Sequence, residues 1–133
     1  MTTEGSNLLE FKVFVGDKPG ELARVTEALA ASAVNIVAIA SEINNATPFY
    51  RIVTNDVNTT RKALHMAGLR YEENEILVAE LIDRPGELAK VARRLARTNV
   101  NISSIYILGA KNGKTQIALT VDNPQRAKRL FKV

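Results

Sequence analysis

Two short turns in this sequence carry the residues best suited to chemistry. Each turn reads Asp-x-Pro-Gly, at residues 17–20 and again at 83–86, and an Asn follows each at the same spacing, as Asn35 and Asn101. A Gly before a helix lets a ligand approach the backbone closely, and the free N–H groups of the first helical turn can meet a carboxylate. An Asn side chain can hold an α-amino group or a carboxylate without adding charge. These residue types therefore predict the binding of a small ligand that carries a carboxylate or an amino group.

The candidate ligand-binding residues form two matching sets of five. They are Asp17, Lys18, Pro19, Gly20 and Asn35 in the first set, and Asp83, Arg84, Pro85, Gly86 and Asn101 in the second. Each residue also has a purely structural interpretation. Asp-x-Pro-Gly is a good turn and helix start, and Asn tolerates the left-handed backbone found where helices stop. The recurrence of turn and Asn together favours a binding site.

The turns are part of a longer internal repeat. Residues 17–36 and 83–102 are identical at twelve of twenty positions. Before the first turn, the alternation in "LLEFKVFV" predicts a strand. After it, Leu22, Val25 and Leu29 recur every three or four residues, which predicts a helix. Each copy of the repeat thus places its turn between a strand and a helix.

Further strands and helices follow in the same order in both copies. The first continues with the strands "VNIVAIASE" and "FYRIVT", the helix "NTTRKALHMAG" and a short strand near "LRYEE". Pro19 suits a first helical position, and Gly68 suits a left-handed helix stop. The second copy has the strand "ILVAELI", a helix over 86–98, the strands "VNISSIYIL" and "KTQIALTV", and a helix opened by Asn123 and Pro124.

The order strand, helix, strand, strand, helix, strand predicts an α+β protein. Its most economical form is two ferredoxin-like βαββαβ repeats, each an antiparallel sheet with both helices on one face. We divide the chain into an N-terminal arm (1–8), a first repeat (9–74) and a second repeat (75–133).

The second repeat lacks residues for its fourth strand. After "RAKRLF" only Lys132 and Val133 remain, so the strand "ILVAELI" is expected to have one uncovered edge. An exposed apolar edge invites pairing, either by another chain or by the N-terminal arm. We therefore also predict a homo-oligomer.

The repeated motif resembles the ACT domain, present twice. The resemblance rests on Asp-x-Pro-Gly-x-Leu before a helix and on "VNI" at the next strand, and it covers about residues 8–131. It implies a regulatory module that binds a small amino acid or related metabolite between ACT repeats, together with a regulated enzyme as a possible partner. In this family the turn of one domain faces the Asn of its neighbour. The resemblance thus implies that residues 17–20 act with Asn101, and residues 83–86 with Asn35.

The sequence offers no recognisable catalytic machinery. It has no Cys, a single His, no Gly-rich phosphate loop and no paired acidic residues at a catalytic spacing. We therefore expect no enzymatic activity, no cofactor and no metal site. The absence of Cys, of a long apolar run and of a signal peptide predicts a cytoplasmic protein without membrane contact.

Charge is divided unevenly between the two repeats. Residues 1–74 carry seven Lys and Arg against nine Asp and Glu, whereas residues 75–133 carry eleven against five. A basic surface can bind nucleic acid, but the third strand of the second repeat lacks the aromatic residues of RNA-recognition folds. We consider nucleic acid an unlikely ligand, and a solvated or protein-contacting face the better interpretation. An alternative function is accordingly a protein-interaction module without a small ligand.

Overall fold

The computed structural model describes residues 2–4 and 8–131, which fall into two compact units. The first unit comprises residues 8–74, and the second joins residues 75–131 to strand β1 (Thr2–Glu4). None of the helices in these residues has the length and apolar character needed to cross a membrane.

The first unit is a four-stranded antiparallel sheet with the strand order β3-β4-β2-β5. Its elements, in chain order, are β2 (Leu9–Phe14), α1 (Glu21–Ala31), β3 (Ile36–Glu42), β4 (Phe49–Thr54), α2 (Val57–Met66) and β5 (Tyr71–Glu75). Helices α1 and α2 pack on one face of this sheet. The core between them includes Phe11, Val25 and Leu64, none of which has exposed surface. The predicted βαββαβ fold is confirmed.

The second unit repeats this architecture with one strand borrowed from elsewhere in the chain. Its own elements are β6 (Leu77–Ile82), α3 (Glu87–Arg97), β7 (Ile102–Lys111), β8 (Lys114–Val121) and α4 (Pro124–Phe131). The strand order in its sheet is β1-β6-β8-β7. As predicted, the second repeat supplies three strands of its own.

Strand β1 covers the edge that the sequence predicted to be open. It pairs antiparallel with β6, with Thr2 opposite Glu80 and Glu4 opposite Val78. Of the two expected partners for this edge, the N-terminal arm is therefore the one observed. Pairing within the chain removes the open edge at residues 78–80 as an argument for self-association.

Helices α1 and α3 begin at Glu21 and Glu87, two residues after Pro19 and Pro85. Gly20 and Gly86 are the N-caps, with φ of 91° and 90° in the left-handed region. A residue in that region cannot continue a right-handed helix, so Pro19 and Pro85 lie outside α1 and α3. The prediction of Pro19 as the first helical residue is wrong for this reason. Pro124 does open α4, and Asn123 accepts a capping hydrogen bond from the Arg126 N–H at 3.0 Å.

The left-handed residues at the ends of α1 and α3 are Ala33 and Asn99, with φ of 56° and 59°. After α1, the Val34 N–H donates to the Leu29 carbonyl at 3.0 Å and the Ala33 N–H donates to Ala30 at 2.9 Å. This pair of bonds is the Schellman arrangement, and α3 ends in the same way. The interpretation of Asn35 and Asn101 as left-handed helix stops is therefore wrong.

We expect Ala33→Gly to stabilise the protein by about 0.5–1 kcal/mol. A left-handed conformation costs an L-residue about 1–2 kcal/mol, and the gain is partly offset by the greater freedom of Gly in the unfolded chain. Urea denaturation measures the change. Asn99→Gly is the matched control and should gain less, because Asn tolerates this conformation better than Ala. A loss of stability for Ala33→Gly would contradict the assignment.

Two carboxylates in the first unit are held in their charged form by hydrogen bonds. Asp56 caps α2, accepting from the Thr59 backbone N–H at 3.0 Å and from the Thr59 hydroxyl at 2.6 Å. Glu73 receives three hydrogen bonds from the Arg61 guanidinium. The hydrogen bonds from Thr59 lower the pKa of Asp56, and those from Arg61 lower the pKa of Glu73.

The free energy of unfolding should therefore fall as the pH drops from about 5 toward 3. A carboxylate whose pKa is lower in the folded state stabilises the protein above its unfolded pKa, and this stabilisation disappears as it becomes protonated. Urea midpoints at several pH values measure the slope. We expect Asp56→Asn combined with Glu73→Gln to flatten it. Glu27→Gln is the control, because Glu27 forms no ion pair with any described residue.

Candidate functional site

The turn of the first unit is held by a carboxylate that points back toward it. Glu21, the first residue of α1, is almost fully buried, and its Oε1 accepts the Gly16 N–H at 2.6 Å. Arg24 lies 3.7 Å from the other carboxylate oxygen. This carboxylate is occupied by residues of its own turn and helix, so it does not cover the first backbone N–H groups of α1.

The turn of the second unit uses the equivalent Glu differently. The carboxylate of Glu87 lies 3.1 Å from Arg84, which belongs to the turn, and 3.0 Å from Lys90, which belongs to α3. The hydrogen bond from Lys90, with the positive charge of Arg84, lowers the pKa of Glu87. The turn is tied to its sheet through the Asp83 N–H, which donates to the Gly113 carbonyl at 2.8 Å.

Each turn leaves backbone donors available at the start of its helix. Neither Gly20 nor Gly86 has a side chain that could cap its helix. In each helix, the two residues that follow Glu21 or Glu87 have backbone N–H groups that no described residue accepts. These exposed positions are Leu22, Ala23, Leu88 and Ala89. A helix N-terminus with free N–H groups favours an anion such as a carboxylate.

The two Asn residues have fixed backbones and free side chains. Asn35 exchanges hydrogen bonds with Asn55: its N–H donates to Asn55 Oδ1 at 3.1 Å, and its carbonyl accepts the Asn55 N–H at 3.2 Å. Asn101 exchanges the same two bonds with Asp122, both at 3.0 Å. Neither side-chain amide has a partner among the described residues, and both Asn residues are exposed. The arrangement presents a free amide on a rigid backbone.

Asn55 and Asp122 are positioning residues that the sequence analysis missed. Each directly follows the third strand of its repeat and precedes the residue that caps the next helix. Asn55 and Asp122 are short polar residues at the same position of the two repeats, and an alignment of the repeats would have shown this.

Within one unit, the turn and the Asn lie at opposite ends of a helix. Residues 17–20 precede α1 and Asn35 follows it, and both α1 and α3 have 11 residues. A helix of that length spans roughly 16 Å. A single small amino acid cannot contact both groups in the same unit, because it is far shorter than this distance.

The described residues contain no group of His, Asp or Glu side chains placed to hold a metal ion. A family described as the ACT domain pair matches residues 6–132, which is nearly the whole chain. The chain belongs to the ACT family. No curated protein matches it.

Solved structures share the fold of this ACT pair. Protein BT0572 from Bacteroides thetaiotaomicron is 26% identical, with a TM-score of 0.82 over 94% of this chain and 88% of that one. The structure of aspartokinase alpha and beta subunits is 19% identical, with a TM-score of 0.66 over 98% and 94%. The regulatory subunit of aspartate kinase from Thermus thermophilus, in a ligand-free form, is 18% identical, with a TM-score of 0.63 over 96% and 91%.

Two basic residues of α3 and α4 in the ACT pair have structural roles. Arg94 donates from Nη2 to the Leu130 carbonyl at 2.7 Å, and Arg126 donates to the Thr98 carbonyl at 3.2 Å. These bonds join α3 to α4, so two basic side chains of the second repeat have partners within the protein.

Proposed function

We propose that this ACT pair is a non-catalytic regulatory module that binds a small amino acid or a related metabolite. Each binding site would combine the turn of one repeat, residues 17–20 or 83–86, with the Asn of the other, in the same chain or in a second copy. The turn would receive the carboxylate at its free backbone N–H groups. The Asn amide would bind the α-amino group or a carboxylate oxygen.

One observation carries this proposal more than any other. The free N–H groups and the free Asn amide both recur in the two units, yet in each unit a helix of roughly 16 Å separates them. A joint site therefore needs two repeats, which is a reason to carry the motif twice. The similarity to the regulatory subunit of an aspartate kinase supports a regulatory role, and an enzyme under its control is the partner that we propose.

A thermal-shift screen against the twenty amino acids tests the proposal directly. A ligand present at one hundred times its dissociation constant should add about 2.7 kcal/mol to the free energy of unfolding. We expect one amino acid, or a small related group, to raise the melting temperature. A flat response to all twenty, at concentrations up to about 10 mM, would argue against the amino-acid site.

The protein-interaction alternative is favoured by one feature of the second unit. Ile105 and Ile107 lie on β7 at the edge of the sheet, opposite Leu119 and Ile117 of β8, and are 42% and 72% exposed. Leu88 on α3 is also exposed. Exposed apolar residues along an edge strand are typical of surfaces that contact another chain.

Light scattering of wild type and Ile107→Asp distinguishes self-association through this edge from a free surface. We expect the wild type to be oligomeric and Ile107→Asp to dissociate, because a charge within an apolar contact is costly. Met66→Asp is the control, since Met66 is even more exposed and lies on α2 of the first unit. A monomeric wild type would contradict the proposed homo-oligomer.

A further inference from the structure

A pocket of the first unit opens on the side of the sheet that faces away from the helices. Residues alternate along β2, so Phe11 and Val13 pack under α1 and α2, whereas Lys12 and Phe14 lie on the other face and line the pocket. The pocket has a volume of about 570 Å³, within the range of roughly 300–1,000 Å³ that is usual for small-molecule sites. No residue of the two turns lines it.

Two phenylalanine rings hold two cationic groups at this pocket. Phe14 on β2 lies opposite Phe49 on β4, and their ring centroids are 5.9 Å apart in an edge-to-face arrangement. The Lys12 Nζ lies 4.3 Å from the centre of the Phe49 ring, and the Arg70 guanidinium lies 4.4 Å from the centre of the Phe14 ring. Because the face of an aromatic ring attracts a cation, both positive groups are kept beside the pocket.

The protein does not neutralise either cation. Lys12 and Arg70 form no ion pair with any described residue. Arg51 also lies over the Phe49 ring, but it is paired with the buried carboxylate of Glu10. Glu72 is the one carboxylate among the residues that line the pocket. Two positive charges therefore face a single negative charge, and an anion between the two cations would be attracted.

The loop between β3 and β4 adds uncharged hydrogen-bond donors. The Thr47 N–H donates to Asn45 Oδ1 at 3.3 Å, which holds this loop in a turn. The Asn45 amide nitrogen and the Thr47 hydroxyl have no partner among the described residues, and both residues are exposed and line the pocket. A phosphate monoester carries about two negative charges and three acceptor oxygens, so it suits these donors and the two cations better than a singly charged carboxylate.

We propose that this pocket binds a small phosphate monoester. The phosphate group lies between Lys12 and Arg70, and it accepts further hydrogen bonds from the loop between β3 and β4. The organic part of the ester contacts the rings of Phe14 and Tyr71, which line the same pocket. The site uses neither the two turns nor the Asn residues that follow α1 and α3, so it goes beyond the proposed amino-acid site.

Titration of the full chain with phenyl phosphate at pH 8 tests the proposal, because the phosphate group is then fully ionised. We expect saturable NMR shifts at the side-chain amide of Asn45 and the backbone N–H of Thr47, with a dissociation constant of about 1 mM or tighter. Phenyl sulfate has a similar shape but one negative charge, and it should bind about ten-fold more weakly. Equal binding of the two esters, or no saturable shift, would overturn the proposal.

Three variants of equal size of charge change locate the site. Arg70→Gln removes one of the two cations and should weaken binding of phenyl phosphate about ten-fold. Glu72→Gln removes the carboxylate at the pocket and should strengthen binding about three-fold, an effect that a loss of folding cannot produce. Lys62→Gln is the matched control for Arg70→Gln, because Lys62 is exposed on α2, on the opposite face of the sheet.

The control variants also define the results that would refute the site. If Lys62→Gln weakens binding as much as Arg70→Gln, the ester responds to net charge alone and the proposal fails. A Glu72→Gln variant that binds no more tightly than the wild type would contradict it as well. Asn35→Ala should leave the affinity for phenyl phosphate unchanged, and a loss there would place the ester at the amino-acid site instead. Because the probe contains no amino acid, the two proposals can fail separately.

Discussion

Glu10→Ala is expected to lower the free energy of unfolding by about 3 kcal/mol. The side chain of Glu10 is fully buried, and its Oε1 accepts hydrogen bonds from Arg51 and Asn74, both at 3.0 Å. Arg51 is itself only 16% exposed. Removing the carboxylate leaves a largely buried guanidinium without its main partner, and an uncompensated buried charge is among the most destabilising changes known.

The surroundings of Arg51 moderate this loss without abolishing it. Its guanidinium lies over the Phe49 ring at 5.0 Å, and its Nε is 3.8 Å from Glu42, a partner that is half exposed. Cation–π contact and a solvent-screened ion pair contribute about 1 kcal/mol or less each. They cannot replace a buried, hydrogen-bonded carboxylate.

Urea denaturation of single and double variants measures this coupling. We expect Glu10→Leu to cost much more than the double variant Glu10→Leu with Arg51→Met, because the double variant leaves no unpaired charge. The matched control is Glu42→Leu, which removes only the weaker partner and should cost less than about 1 kcal/mol. Additive losses for Glu10→Leu and Arg51→Met would show that the pair is not coupled.

The fold could be predicted because its signals are local and occur twice. The alternation before each turn and the helical spacing after it were strong enough to give the order of elements in both repeats. Strand β1 could not be predicted in the same way, since Thr2–Glu4 has no apolar alternation of its own. Its pairing with β6 joins residues more than seventy positions apart in the chain, such as Thr2 and Glu80, which is a non-local effect.

Helix boundaries were predicted less well than helix positions. Because Gly20 has a left-handed conformation, α1 begins after Pro19 and not at it. At the other end of α1, the Schellman hydrogen bonds hold Ala33 in a left-handed conformation, for which Ala has no preference. Hydrogen bonding at the helix end outweighed the local preference of Ala in this case. The same competition explains why Asn35 and Asn101 are not helix stops.

The sequence predicted which residues form the candidate site but not how they are arranged in space. The turns and the Asn residues stood out because they recur, yet their separation by the length of a helix became evident only from the fold.

The crossed arrangement of turn and Asn predicts an unusual pattern of binding stoichiometry. In the proposed sites, Gly20 acts with Asn101 and Gly86 acts with Asn35. Gly20→Asp should therefore disable the same site as Asn101→Ala, and combining the two should leave one normal site. Gly20→Asp with Asn35→Ala should disable both sites. Calorimetry with the amino acid found by the thermal-shift screen measures the number of sites and their affinities.

Each change acts through a different physical effect. A side chain built on Gly20 meets no atom within 4 Å, so Gly20→Asp should act on the ligand more than on packing. The carboxylate of the new Asp repels the carboxylate of the ligand. The backbone strain at φ 91° is the same in the control Gly20→Ala, which adds a side chain without a charge. Asn101→Ala removes hydrogen bonds from the ligand, at a cost of about 1–3 kcal/mol, or roughly five- to a hundred-fold in affinity.

The two double variants separate the crossed arrangement from its alternative. If turn and Asn acted within one repeat, Gly20→Asp with Asn35→Ala would leave one normal site, and Gly20→Asp with Asn101→Ala would leave none. The length of α1 argues against that result, because one small ligand would have to contact both ends of an 11-residue helix. Gly20→Ala should retain both sites with only a modest loss of affinity, since it adds no charge. A loss as large as that of Gly20→Asp would mean that backbone strain, and not repulsion of a carboxylate, determines the effect.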